Sequence, residues 1–504
     1  MSDTDSHKTV TRLGGQALYF LVGNVFTLVV GFPLQVFVAR LLGAENLGIF
    51  SLFDAGVSLG AGMLSFGLAP TLVKFIPHCL ARNDHASVRL LVRNGWQLLL
   101  LAGGCAVLVV WVLQWLRVPL PLLESHAEAA FLMALLVPLS LLIYFFQQGL
   151  RGFQEVRYMV MGTSFLQLGV KAVLAVVLLN LGAGLIGYVL AVVLSALVSC
   201  LWLARGLWRR LAELPQAELA GQGYRKEWRN FASVCYLDAL VGMCTANLDR
   251  FLLGWLSGAA PVGVLLLVKQ LYALPGAFFQ MFMAIASPMF AAAHARDDAR
   301  ERQHLYHLMI DWVVRPSAPL CMFLLLFAEP LLGLYRGDIA VQGSLALRIL
   351  VVSQLINLVL GPLGTMLTLS GCERLLAKLN IVDQLVWIIG MIVLLPRYGL
   401  NGAVAMTAFT MVEQNVVLFV VAKRRLGMNW YDARFLRWTL PLTATLLTGL
   451  GAHWVSGGEL AAIPLAAVLL LMYIVFAAVS LLQGLHEDDK TLLSHIVTRL
   501  KPGR

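Results

Sequence analysis

The sequence predicts an all-α polytopic membrane protein with about fourteen transmembrane helices. Three observations carry that expectation. Of the 504 residues, 60% are hydrophobic and only 13% are charged, with a mean hydropathy of +0.81; soluble chains average about 25% charged residues. Uncharged apolar runs recur from residue 13 to residue 483, and a helix needs about 20 apolar residues to cross a bilayer. The runs are solidly apolar and not alternating, which argues against barrel strands. Helices are then the way left to satisfy every backbone polar group in lipid.

The expected spans are 13–37, 47–76, 94–116, 129–150, 158–180, 184–205, 231–256, 263–293, 316–335, 345–370, 379–395, 401–422, 438–455 and 461–482. The first is not a cleaved leader, because its apolar run is too long and no small-x-small site follows. Cysteines at 79, 105, 200, 235, 244, 321 and 372 form no CxxC. They are expected to be small apolar fillers.

Charge sets the expected orientation. With the N-terminus in the cytoplasm, only Arg40, Arg117, Arg336 and Arg397 fall on the outer side. Lys171, Arg250, Lys269 and Arg348 lie inside spans or at their outer ends, and the rest of the 37 Lys and Arg face the cytoplasm. That asymmetry places both termini in the cytoplasm. The basic loops read as topology signals and not as a nucleic-acid surface. The longest loop, 206–230, leaves no room for a soluble catalytic domain, so no enzyme is expected.

The chain also echoes itself. Gly48 in "VARLLGAENLGIF" (38–50) matches Gly263 in "DRFLLGWLSGAAPVGVL" (249–265), 215 residues on. "ARND" at 81–84 matches "ARDD" at 295–298, "RGFQE" at 151–155 sits where "SGCER" sits at 370–374, and "GLIG" at 184–187 matches "GLNG" at 399–402. Markers in one order at one offset indicate a duplication. The expected organisation is an N-terminal six-helix bundle (1–205), a cytoplasmic linker (206–230), a second six-helix bundle (231–422), a helix pair (438–482) and a cytoplasmic tail (483–504). Six spans per copy make the repeats parallel, around a central cavity.

These stretches carry a family resemblance over nearly the whole chain. "ARLLGAENLGIFSL" (39–52) resembles the signature of the polysaccharide-transporter branch of the MOP exporter superfamily. "LDRFLLGWLSGAAPVGV" (248–264) is similar to that branch's second-half pattern, and "GLNGAVAMT" (399–407) resembles the opening of its twelfth span. The resemblance implies a MATE/MOP-like fold in a bacterial inner membrane. It implies a Wzx-type flippase that moves polyprenyl-pyrophosphate-linked oligosaccharide from the inner to the outer leaflet, for O-antigen, capsule or exopolysaccharide assembly. The implied partners are the lipid-linked glycan, membrane lipids, a coupling H+ or Na+, and polysaccharide polymerase or other assembly proteins. No cofactor is implied. The alternative is a MATE-like cation-coupled exporter of drugs or small molecules. A membrane polymerase or ligase would be expected to carry a large periplasmic loop, and this chain has none.

Charges inside spans are costly, by about 3 kcal/mol on insertion scales, and usually face a cavity. Lys171 in span 5 and Glu413 in span 12 both fall near the midplane, in different halves. Gln167 shares a helical face with Lys171. Arg40, Lys171, Arg250, Lys269 and Arg348 are the candidates for attracting pyrophosphate, with Lys74 at the cytoplasmic entrance. Asp54, Asp249 and Glu413 are the candidates for ion coupling. Asp238 and Asp383 are further charges in spans 7 and 11, and Gln354 and Asn357 give span 10 a polar face. Asp249–Arg250, or Asp54 with a basic neighbour, can equally be structural ion pairs. Arg40 and Arg348 lie near enough to the surface to snorkel.

Gly31 with Pro33, and Pro275 with Gly276, are expected to interrupt spans 1 and 8. "GVSLGAG" (56–62) is expected to permit close helix packing. Glu301, His304 and His307 form an ExxHxxH pattern without the closed ligand set that zinc requires. His453 reads as a packed interfacial histidine.

Overall fold

The computed structural model describes residues 3–116, 125–215, 225–296, 298–456 and 460–484. The expected tail beyond residue 484, the middle of the 206–230 linker, Arg117 and the side chains of Asp238 and Pro288 lie outside what is described. Among the described residues every regular element is helical, as lipid demands. Ten helices are long and apolar enough to cross a membrane. Two of these fold back at a glycine, so the helices are compatible with fourteen crossings.

The chain divides into two compact units, Met1–Gly263 and Val264–Arg504. The first holds α1 (Asp3–Met63), α2 (Leu68–Ala81), α3 (His85–Trp115), α4 (Ala127–Ala134), α5 (Leu136–Gly152) and α6 (Val156–Val160). A π-helical turn (Met161–Gln167) leads into α7 (Leu168–Asn180), followed by α8 (Gly184–Ala212), α9 (Arg225–Ser257) and the first residues of α10 (Ala259–Ala295). Its core is a continuous apolar cluster in which Leu72, Phe145, Leu150, Leu203 and Leu207 are fully buried. Helix α9, the first helix of the expected second repeat, packs here against α1 and α2.

Helix α1 covers two expected spans and bends at Gly43, whose φ of 73° lies in the left-handed region. Gly258, 215 residues later, has φ 86° and separates α9 from α10. Between these paired turns the helix starts cross at van der Waals limits. A Cβ on Gly48 would fall 1.7 Å from the Ala259 carbonyl oxygen, and one on Gly263 would fall 1.9 Å from that of Ala44. Ala44 and Ala259 are themselves 215 residues apart, so the contact is reciprocal: each copy's alanine carbonyl fills the other copy's missing side chain. Other echoes hold in the backbone too. Asp84 caps α3 by accepting from the Ser87 N–H at 3.0 Å, and Asp298 caps the helix starting at Ala299 by accepting from the Glu301 N–H at 2.9 Å. Gly184 and Gly399 both have φ 52°.

The second unit holds the rest of α10, then α11 (Ala299–Leu326), α12 (Ala328–Gly333), α13 (Gly337–Leu360), α14 (Leu363–Leu369) and α15 (Glu373–Leu426), which folds back at Gly399. A 3-10 turn (Ala433–Trp438) leads to the closing pair α16 (Thr439–Val455) and α17 (Ala462–Leu482). That pair packs on α11, where the Tyr473 hydroxyl donates to the Pro316 carbonyl at 2.7 Å.

Several expected boundaries are corrected. Span 2 is not continuous: the chain breaks between Met63 and Leu68, with φ 48° at Phe66 and 63° at Gly67. The Ala232 carbonyl approaches to 2.0 Å from where a Gly67 side chain would begin, so α9 occupies the path a straight helix would need. Spans 9 and 10 break at Phe327 and at Gly361–Pro362. Conversely, the backbone stays helical through Gly31, Pro33, Pro275 and Gly276. Packed neighbours hold a proline helix together, and the Ser317 hydroxyl donates to the Pro275 carbonyl at 3.3 Å.

His307 of the ExxHxxH pattern is claimed by the loop after α15. Its Nδ1 lies 2.8 Å from Asp432 Oδ2, and its Nε2 is 2.9 Å from the Asn429 carbonyl. Gln303 exchanges two hydrogen bonds with the Asn429 backbone. Burial of the Asp432 carboxyl is outweighed by the Arg434 backbone N–H, the Arg434 guanidinium and His307, which hold it below the usual carboxylate range.

Two predictions follow from this packing. Gly48→Val and Gly263→Val each push a side chain into a backbone carbonyl, which no rotamer relieves; each should abolish folded protein in size-exclusion profiles, while Gly56→Val, with open space around it, should not. Asp432→Asn should lower thermal stability at pH 7 by about 1–3 kcal/mol. Because the folded-state pKa is depressed, that gap is present above the unfolded value of about 3.9 and should close as pH falls below it.

Candidate functional site

In the first unit three of the expected interior charges meet. Arg250 of α9 reaches across to α1, where its Nη1 lies 2.9 Å from Asp54 Oδ2. Lys171 of α7 lies within electrostatic range of the same carboxylate. Asp54 is therefore the hub of an intramembrane cluster drawn from three helices. Its side chain is 48% exposed, so the cluster borders open space and is not sealed in the core. Its charges are unevenly satisfied. Lys171 is partly buried and has no hydrogen-bond partner among the described residues. Arg250 engages one N–H of its fork with Asp54, and its remaining side-chain donors have none. Two cations share one carboxylate, which leaves a net positive site with N–H donors to offer an anion.

Neighbouring residues fix this arrangement. Asp249 is buried and accepts from the Arg250 backbone N–H at 2.9 Å. Asn247, also buried, donates to the Met243 carbonyl at 2.9 Å and to the Ser58 hydroxyl at 3.4 Å, tying α9 to α1 one turn from the ion pair. The π-helical turn Met161–Gln167 immediately precedes the helix bearing Lys171; such turns reset the face of the residues that follow.

The other nominated cations are placed elsewhere. Lys74 is exposed and stacks over Phe231, 4.0 Å from the ring centroid. Arg40 is exposed at the end of the first half of α1, just before Gly43. In the second unit Lys269 is partly buried in α10. Arg348 is exposed and donates from Nε to the Leu325 carbonyl at 3.2 Å, capping the end of α11.

Glu413 has a partner that sequence reasoning did not assign. Asp383 comes within hydrogen-bonding reach of it, and a carboxyl–carboxyl hydrogen bond needs a proton on one of the two. One oxygen of each, Asp383 Oδ1 and Glu413 Oε2, is buried with no other partner. The pair bridges the two halves of α15, as do Asn380 with Gln414 at 3.1 Å and Trp387 with Thr407 at 3.4 Å. Asn415 further donates to Asn357 of α13 at 3.0 Å. The 380, 383, 387 spacing is helical and the signal was present, but the fold at Gly399 was needed to pair it with 407, 413 and 414.

A family profile described as "Polysaccharide biosynthesis protein" matches residues 13–294. The chain belongs to this family. Comparison with curated sequences returns no significant match. Among solved structures, this polysaccharide biosynthesis family member is similar to an inward-facing multidrug resistance MATE family transporter of the MOP superfamily, at 18% identity, covering 80% of this chain and 94% of that one, with a TM-score of 0.64. It is also similar to the lipid II flippase MurJ in an inward closed conformation, at 12% identity, covering 91% and 98%, with a TM-score of 0.66. A MOP superfamily transporter from Pyrococcus furiosus, described by the reverse polarity of its binding pocket, matches at 15% identity, covering 83% and 96%, with a TM-score of 0.58. These likenesses establish the MOP fold for this family member.

The cluster generates an asymmetric prediction. Removing Asp54 leaves two cations facing each other, whereas removing Arg250 leaves Lys171 to balance Asp54. Asp54→Asn should therefore reduce folded yield more than Arg250→Gln. Asp54→Asn with Arg250→Gln should recover part of the loss, with a coupling of about 0.5–3 kcal/mol in thermal unfolding. Strict additivity would show that the ion pair is not formed.

Proposed function

We propose that this protein is a flippase for polyprenyl-pyrophosphate-linked oligosaccharide. It carries the lipid-linked glycan from the inner to the outer leaflet of a bacterial cytoplasmic membrane for surface polysaccharide assembly, by alternating access coupled to H+ or Na+. Family membership supports the polysaccharide setting, and the MOP fold supports a transport mechanism without covalent chemistry. The observation that carries the substrate charge is the Lys171–Asp54–Arg250 cluster. It is net positive, lies inside the membrane-spanning helices, and its two cations have N–H donors with no partner among the described residues. A pyrophosphate is dianionic or more and accepts several charge-assisted hydrogen bonds, so it fits better than a small cation would.

Arg40, Lys74, Lys269 and Arg348 are assigned supporting roles along the anion's path, with Arg348 also serving α11. Asp54, Asp249 and Glu413 are the coupling candidates in this reading, and Asp383 joins Glu413. A carboxyl pair that shares a proton suits a site that must exchange one during a cycle.

The deciding measurement uses a deletion strain, with lipid-linked glycans extracted and their leaflet exposure probed in spheroplasts. Completed carrier should accumulate on the cytoplasmic face and clear on complementation. Lys171→Ala should restore less than about a tenth of wild-type transport, and Glu413→Gln should flatten its dependence on the ion gradient. Unchanged surface polysaccharide with altered dye efflux would replace this reading with small-molecule export. Full activity of both variants at normal expression would remove the site assignment.

A further inference from the structure

The segment joining α15 to α16 shows how this end of the second unit meets its membrane. Helices α15 and α16 are both membrane helices, so the twelve residues between them, 427–438, must lie at the bilayer surface. They do not form a loose loop. Gln303 and His307 hold the Asn429 backbone. Trp430 Nε1 donates to the Val359 carbonyl at 3.0 Å, and Trp438 Nε1 donates to Asp311 Oδ1 at 2.7 Å. Phe435 stacks on Trp438 with ring centroids 4.3 Å apart. This is a rigid platform fastened to α11 and α13.

The charges on the platform fall into two groups. Arg434 is neutralised by Asp432 at 3.1 Å, and Arg315 by Asp311 at 2.6 Å. Lys423, Arg424, Arg425 and Arg437 are all exposed, and none has an ion-pair or hydrogen-bond partner among the described residues. Beside them Tyr431 and Leu436 are each 58% exposed although large and apolar. Four uncompensated cations next to an exposed tyrosine and leucine, at the water–lipid boundary, match an anionic headgroup above a glycerol and acyl region. A water-soluble phosphate would use the cations and leave the apolar pair without a partner.

We propose that residues 423–437 form a docking surface for acidic phospholipid at the root of the α16–α17 pair. The rigid backing matters, because side chains on an ordered platform lose less conformational freedom on binding. Each cation near an anionic surface is worth about fivefold in affinity.

The test is native mass spectrometry of the full-length protein, purified in neutral detergent and offered phosphatidylglycerol and phosphatidylcholine together. The wild type should retain phosphatidylglycerol preferentially. K423Q/R424Q/R425Q/R437Q should lose at least about tenfold of that preference. R93Q/R151Q/R205Q, which removes exposed charge from the first unit, should keep it. If the quadruple variant does not fold, R424Q/R437Q applies the same test with a smaller expected loss. Preference retained in the platform variants, or lost equally in the control, overturns the proposal. So does displacement of bound phosphatidylglycerol by inorganic pyrophosphate at equal concentration, which would mark the surface as a soluble-phosphate site.

Discussion

The carbonyl oxygens of Ala44 and Ala259 sit where side chains on Gly263 and Gly48 would otherwise be. Much of the first unit depends on this crossing. In lipid there is no hydrophobic drive to press helices together, so approach distance and the contacts it permits must supply the adhesion. Two glycines at homologous positions let two backbones meet at the closest separation geometry allows. Because each copy offers both the notch and the carbonyl, the contact completes itself once the repeat exists. The turns at Gly43 and Gly258 feed the chain into it, and their left-handed φ values are ones a glycine adopts without penalty.

From that crossing the placement of charge follows. Helix α9 lies along the second half of α1, so Arg250 comes level with Asp54. The same proximity forces the break at Phe66–Gly67, where α9 stands in the path of a straight second span. One constraint thus aligns an ion pair and interrupts a helix. The cost of holding three charges among membrane helices is met partly by the Arg250–Asp54 bond and partly by exposure of Asp54 to open space. What remains is a positive imbalance, which is what an anionic substrate requires. In the second unit the polar groups are of another kind: amides and two carboxyls pair across the fold at Gly399, with no cation between them.

Much of the fold was legible in the sequence, because lipid simplifies the code. Helix existence, approximate span limits and the duplication all came from apolar runs and from markers at one offset. Those markers proved to be backbone devices, namely caps at Asp84 and Asp298 and left-handed glycines at 43, 258, 184 and 399. The prolines misled. Pro33 and Pro275 remain within continuous helices, while the breaks fall at Phe66–Gly67, Phe327 and Gly361–Pro362. A proline states that one hydrogen bond is lost; it does not state whether neighbours compensate.

The candidate site divides along the same line. Sequence alone determined which residues are charged at membrane depth, since depth follows from counting along a helix of known rise. It therefore nominated Lys171, Arg250, Asp54 and Glu413 correctly as interior groups. Which charge faces which is a matter of helix rotation and crossing, and that was decided by the tertiary structure. Only there does Asp54 become a hub shared by two cations, Asp383 become the partner of Glu413, and Arg348 become a helix cap. Apolar length is a property each segment carries by itself. Pairing is a property of two segments, and it exists only once packing has fixed their rotation about their own axes.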